Sequence, residues 1–211
     1  ATPLRQSGST PLVEIHPPFD ALGNRFGPLA VATEGVLVMD DDILMDPRDV
    51  SHAFRAWRQA PSQLVGTFMR SIHRDPNDRR RLVYRSVKAD VEGMRRQNVV
   101  LTKFMFVHRS YLFMYGCLLP YLLWDLPNKR INCEDVLINL LVGSASGLPV
   151  VPFQPAFDVQ RDYGTPPPTE LLSRVMAQAG LSGGGRTEAQ WADVRSGCTN
   201  ELAAFFSEGG E

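Results

Sequence analysis

The sequence predicts a single α/β domain, and three observations lead there. Residues 35–46 read Gly-Val-Leu-Val-Met-Asp-Asp-Asp-Ile-Leu-Met-Asp: an unbroken apolar run, an acidic triplet, then a helix start. An apolar run without alternation is how a strand covered on both faces reads. Segments of strand character at 64–68, 98–108 and 149–153 alternate with helical patterns at 47–59, 136–141 and 188–206. The chain has 211 residues, 44% of them hydrophobic and 21% charged, enough for one sizeable core.

Taken in order, residues 1–11 are polar with Gly and Pro and are expected to fray. Residues 12–15 are a short strand candidate, stopped by Pro17-Pro18. The stretch 19–29 carries Asn24 and Arg25, a candidate contact for phosphate or base, against the plainer reading of a solvated loop arginine. Beyond the acidic triplet, Asp46 suits an N-cap, and Pro47 sits where a missing N–H costs nothing. Val50, Ala53, Phe54 and Trp57 fall at i, i+3, i+4 and i+7, one apolar face of a helix over 47–59. Residues 64–68 read as the next strand, and 73–81 as a charged loop turned by Asp75-Pro76-Asn77-Asp78. Residues 83–97 read as strand, then loop.

Residues 98–108, rich in Val and Phe, are a strand. Residues 111–124 are apolar and aromatic, expected as a buried helix broken at Pro120, with its aromatics in the core. Asn132-Cys133-Glu134-Asp135 opens a helical face of Val136, Leu137, Leu140 and Leu141. Two acids in a first helical turn are favoured by the dipole, and simple capping is their plain account. Residues 149–153 form a last strand, and 164–186 a flexible loop region around a short helix at 169–179. The final helix, 188–206, places Trp191, Val194, Cys198 and Leu202 on one side, with Arg195 near that seam.

Asp40, Asp41 and Asp42 stand at the carboxyl end of a strand, where open α/β sheets bind ligands. Like charges so close raise one another's pKa, and a divalent cation removes the conflict. Oxygen-only ligands suit Mg²⁺ or Mn²⁺. The competing reading is an acidic turn in water. Net charge is −1, so bulk polyanion or nucleic-acid binding is not called for, although arginines cluster at 79–81 and 95–96. No apolar run is long enough to span a bilayer, and no signal pattern is present. Cys117, Cys133 and Cys198 lack zinc-ligand spacing; either all three are buried thiols, or two pair and one is left over.

The order of these parts, from about Leu12 to Phe206, resembles the exostosin-like glycosyltransferases. The residues that carry it are Asn24-Arg25, the run from Val36 to Asp42, the Trp57 helix, Leu64-Val65-Gly66, Asn132-Cys133-Glu134-Asp135, and Arg195-Ser196-Gly197-Cys198-Thr199-Asn200. The resemblance implies a GT-A nucleotide-sugar fold, a mixed sheet flanked by helices. It further implies that a base-holding strand and helix lie ahead of Ala1, so that the chain is the carboxyl-terminal portion of one domain. The triplet looks like the DXD motif: Asp42 would bind Mn²⁺, and Asp40 and Asp41 would help hold the donor. Arg25 and Asn24 would contact the nucleotide, and Asn132 and Glu134 the substrate. Asp135 looks like the active-site carboxylate, and Arg195 like the arginine that steadies the diphosphate. Cys133 and Cys198 match a disulfide, leaving Cys117 a buried thiol. There are departures: the family's Asp-Asp pair is Glu134-Asp135 here, and Gly183-Gly184-Gly185 stands where the family has an acceptor-side Trp.

The implied activity is metal-dependent, retaining transfer of N-acetylglucosamine or N-acetylgalactosamine from a UDP-sugar to a glycan or glycolipid, in the endoplasmic reticulum or Golgi lumen. Any membrane anchor would lie in segments outside this chain. Two other readings are a GDP-mannose-type transferase acting on glycolipid and a catalytically silent binding module.

Overall fold

The computed structural model describes residues 3–4, 12–13, 21–27, 31–85, 97–157, 161–162 and 188–208. The helix 169–179 and the loops 164–168 and 182–185 expected from sequence lie outside these residues. Strands β1 (Pro3–Leu4) and β2 (Leu12–Val13) pair antiparallel, so part of the stretch expected to fray is a paired strand. The larger sheet joins β3 (Gly35–Met39), β5 (Val65–Gly66), β9 (Phe104–His108) and β10 (Val151–Pro152) in the order β10-β5-β9-β3. Its β10–β5 pair is parallel and its other pairs are antiparallel, so the sheet is mixed. β6 (Met69–Arg74), β7 (Leu82–Arg85) and β8 (Val99–Val100) form an antiparallel second sheet. β4 (Ile43–Leu44) pairs with β11 (Arg161–Asp162), a strand that sequence reading did not anticipate.

The strand covered on both faces is β9, not β3. Phe104 and Phe106 pack into one apolar cluster, and Met105 and Val107 into the other. β3 has β9 as its one described strand neighbour, and only Val38 of its residues is buried. Helix α1 (Pro47–Gln59) has the boundaries that the sequence predicts. Asp46 is extended at its cap and accepts the Arg48 N–H at 2.8 Å. Its hydrogen bonds with Arg48 hold its carboxyl at about 2. Ala53 and Trp57 bury against β9, whereas Phe54 stays partly exposed.

Three expectations are corrected by burial and hydrogen bonding. First, the predicted strand 98–108 is two strands, broken at Leu101–Lys103, because β8 pairs with β6 and β9 pairs with β3 and β5. Second, β6 runs to Arg74, so the charged loop is the tip of a β6–β7 hairpin. Third, 111–124 is not a buried helix. It is the end of α2 (Arg109–Phe113), a π-helical turn (Met114–Leu118) and the start of α3 (Tyr121–Arg130). Tyr111, Tyr115 and Leu123 face the core, while Phe113, Leu118, Tyr121 and Leu122 are exposed. Cys117, on that outward side, is an exposed free thiol rather than a buried one. Helices α4 (Glu134–Ser146) and α5 (Glu188–Glu208) complete the domain and pack on the second sheet. Among the described residues, no helix is long and apolar enough to cross a membrane.

Candidate active site

At the end of β3, Asp40 donates its N–H to the Lys103 carbonyl, and its own carbonyl accepts from Ile43 N at 3.4 Å. This turn brings the acidic triplet to the wall of a cavity of about 470 Å³, lined by Arg25, Val38, Met39, Asp40, Asp41 and Asp42. Among the described residues, no three metal-ligating side chains form a cage. One or two carboxylates with substrate phosphates and water are, however, how Mg²⁺ is commonly held. The donor set at the triplet fits such an ion.

Arg25 belongs to a 3₁₀ turn (Leu22–Phe26) seated on α3 and the π-helical turn. Leu22 N donates to Asn128 Oδ1 at 2.9 Å, and the Phe26 ring lies 4.6 Å from that of Tyr115. Asn24 closes this turn through its backbone, between Ala21 and Gly27. From this seat, Arg25 Nη1 donates to Asp40 Oδ1 at 2.9 Å and Thr102 Oγ1 at 2.7 Å, and lies 3.9 Å from Glu134 Oε1. One guanidinium therefore links the triplet to the start of α4.

That start is unusual in its backbone. Ile131 (φ 52°) and Cys133 (φ 80°) are both left-handed, on either side of Asn132. Left-handed non-glycine residues cost energy and cluster at functional sites. Here the surroundings hold them. Cys133 is bonded to Cys198 of α5, Cα to Cα 6.6 Å, and both cysteines are fully buried. Asn132 Oδ1 accepts from Cys133 N at 2.8 Å and from Arg195 Nε at 2.9 Å. Arg195 Nη2 lies 3.7 Å from Asp135 Oδ2, and the Asp135 carboxylate is almost wholly buried. Asn132 Oδ1 thus serves both Arg195 and the backbone of Cys133.

The electrostatics follow from burial. Desolvation and the neighbouring Asp135 push Glu134 up to about 7, against the pull of Arg25. Burial opposes the charge on Arg195, but Asp135, Tyr84 and Glu134 more than offset it and raise its pKa. The Arg195 guanidinium also stands 5.1 Å from the centre of the Tyr84 ring, within cation–π range. Burial, then Asp135, raises the Tyr84 phenol well above its usual range.

Several residues that hold this arrangement have structural roles that the sequence does not assign, Ser196 and Asn200 standing there only as parts of a motif. Asn200 donates to and accepts from the Leu82 backbone at 2.8 Å, and Ser196 Oγ accepts Tyr84 N at 3.0 Å; together they fasten α5 along β7. Asn139 does the same for α4 and β8, bonding both backbone groups of Val100. A lone Asn inside the apolar run 136–142 was the one available signal for it. Thr102, which meets Arg25, had none.

A mixed sheet flanked by helices, with acids at a strand end linked through Arg25 to the helix start that carries an arginine–carboxylate pair, has the make-up of an α/β glycosyltransferase domain. Comparison with known proteins gives the family. The model for the glycosyl transferase family 64 domain matches residues 4–209, and the chain belongs to that family. It is 34% identical over 179 residues to glycosyltransferase family protein 64 C3 of Arabidopsis thaliana, covering 83% of this chain and 51% of that protein. It is 30% identical over 190 residues to glucosamine inositolphosphorylceramide transferase 1 of Oryza sativa subsp. indica, covering 89% of this chain and 23% of that protein. It is 27% identical over 204 residues to exostosin-1b of Danio rerio, covering 94% of this chain and 24% of that protein. The chain therefore spans about half of the first of these relatives and about a quarter of the other two.

Proposed function

We propose that this chain carries the transferase site of a metal-dependent, retaining glycosyltransferase. It would move N-acetylglucosamine or N-acetylgalactosamine from a UDP-sugar to a glycan or glycolipid. The observation that carries the reading is the buried Asp135–Arg195 pair at 3.7 Å, held by the Cys133–Cys198 disulfide, with Arg25 joining the adjacent Glu134 to Asp40 of the triplet.

Asp42 would hold Mn²⁺ or Mg²⁺, with Asp41 beside it; the bound ion supplies positive charge to the donor's diphosphate. Asp40 is engaged by Arg25, so the two together form a neutral edge where Arg25 and Asn24 can meet the nucleotide. Transfer breaks the bond between the anomeric carbon and the diphosphate oxygen, and the electron pair leaves with the diphosphate. Arg195 is aimed by Asn132 and Tyr84 and is kept charged, so it meets that growing charge without reorganising. Asp135 would be the carboxylate that stabilises an oxocarbenium-like anomeric centre. The acceptor oxygen forms the new bond, and its proton passes to the departing phosphate in a same-face route. In double displacement, Asp135 is the nucleophile instead. Glu134, raised to about 7, would in its protonated form donate a hydrogen bond to a sugar oxygen without repelling the diphosphate.

A disulfide persists in an oxidising compartment, which supports a secretory-lumen location. The likeness to a protein named glucosamine inositolphosphorylceramide transferase 1 favours keeping glycolipid among the acceptors. The test is titration calorimetry of a nucleotide-sugar panel with and without Mn²⁺. Tight, Mn²⁺-dependent binding of UDP-N-acetylhexosamines that Asp42→Asn abolishes is expected. Unchanged affinity in that variant would remove the metal assignment, and preference for GDP-mannose would reassign the donor.

A further inference from the structure

The tip of the β6–β7 hairpin plays no part in the site, yet the hairpin holds the densest charge in the chain. Between Arg70 and Arg85 there are six arginines against two aspartates, in a protein of net charge −1. Arg74, Arg79, Arg80, Arg81 and Arg85 are exposed, and residues 76–81 are exposed without a break, so the turn projects as a tip.

The two acids do not neutralise it. Asp75 accepts the Asn77 N–H at 2.9 Å and Asp78 accepts the Arg80 N–H at 3.0 Å, each folding the turn's own backbone. Asp75 N donates to the Arg81 carbonyl at 2.8 Å, and Arg81 N to the Asp78 carbonyl at 2.9 Å. Arg74 Nη1 donates to the Arg79 carbonyl at 2.8 Å and stiffens the loop. The turn is therefore a rigid mount that carries its arginines outward. Among the described residues, no ion pair engages Arg79, Arg80 or Arg81.

We infer that this hairpin tip is a docking surface for an anionic lipid membrane. Two features favour a membrane over a dissolved polyanion. A convex tip meets a plane with all its charges at once, whereas a linear chain needs a groove. All the exposed cations are arginines, whose forked donors match phosphate headgroups. The tip carries no aromatic or long aliphatic side chain, so docking would be electrostatic and reversible rather than inserted. The hairpin is also rigidly tied to the site. β7 carries Tyr84 beneath Arg195, and Asn200 and Ser196 lock β7 to α5. Docking at the tip therefore fixes the orientation of the site towards the membrane.

The experiment is vesicle flotation of the whole chain with phosphatidylcholine alone and with phosphatidylcholine plus phosphatidylinositol. Binding only to the anionic vesicles, lost as salt rises, is expected. A variant with Arg79→Gln, Arg80→Gln and Arg81→Gln should bind roughly a hundred-fold more weakly, with its melting temperature and its Mn²⁺-dependent binding of nucleotide-sugar unchanged. Wild-type protein that does not float with anionic vesicles overturns the inference without any variant. So does a triple variant that floats as well as wild type. If the same arginines instead bind a soluble acidic polysaccharide more tightly than vesicles, the partner is a dissolved polyanion and the membrane assignment falls. Failure on any of these counts leaves the transferase reading intact, because that rests on nucleotide-sugar binding.

Discussion

Replacing both Cys133 and Cys198 by Ala is the change that most fully disconnects the site. The bond joins cysteines 65 residues apart, and the chain-entropy model gives such a loop about 4 kcal/mol. For a domain of this size, each kcal/mol moves the midpoint by roughly 2–4 °C, so calorimetry should show a fall of about 8–16 °C. The functional loss should be disproportionate. Cys133 is held at φ 80° immediately before Glu134 and Asp135, and Cys198 is three residues beyond Arg195. Without the bond, the Asn132–Arg195 hydrogen bond and the Asp135–Arg195 pair must hold the junction. Turnover measured well below the new midpoint should therefore drop by roughly ten-fold or more, because misplacement by an ångström is costly in catalysis. A double variant that melts within about 3 °C of wild type would show that the bond constrains little. One that keeps full turnover would show that Asp135 and Arg195 do not depend on it.

Two further outcomes concern stability. Glu134 is raised from an ordinary 4.5 to about 7, so the native state holds its proton more tightly than the unfolded chain does. That contribution is fully present below 4.5 and is lost as pH rises through 7, at up to roughly 1.4 kcal/mol per pH unit; Glu134→Gln should flatten this slope in denaturant titrations, and an unchanged slope would refute it. At Gly66, an added Cβ would fall 2.2 Å from Val100 Cγ2 and 2.6 Å from the Phe104 carbonyl oxygen. Gly66→Ala should cost about 1–3 kcal/mol, and a neutral effect would mean that β5 and β9 separate more easily than their packing suggests.

Much of this was legible in the chain because it rests on local chemistry. Asp46-Pro47 and the Val50, Ala53, Trp57 spacing define α1 to the residue, since cap and periodicity lie within one segment. The acid triplet was visible at a strand end for the same reason. What was not legible depends on partners distant in sequence. Whether β3 or β9 is covered twice depends on strand order, which the apolar run 36–39 does not encode. Tyr115 and Leu118 are equally apolar on paper, yet one packs against Phe26 and the other faces outward. The tie between Asn132 and Arg195 is invisible until the fold brings the Arg195 Nε–H, far along the chain, to the Asn132 oxygen. Ser196 and Asn200 have meaning only once β7 lies beside α5.

The most direct measurement is the release of UDP from a UDP-N-acetylhexosamine by wild type and Asp135→Asn, with Mn²⁺ and acceptor, alongside their melting temperatures. Asn keeps the oxygen that accepts the Val136 N–H at 2.8 Å, so the helix start survives while the charge facing Arg195 is lost. The account predicts release by wild type, a loss of roughly 10²–10³ in the variant, and melting temperatures within a few degrees of each other. A variant that melts early yet releases UDP at the wild-type rate would make Asp135 a helix cap and contradict the proposed chemistry.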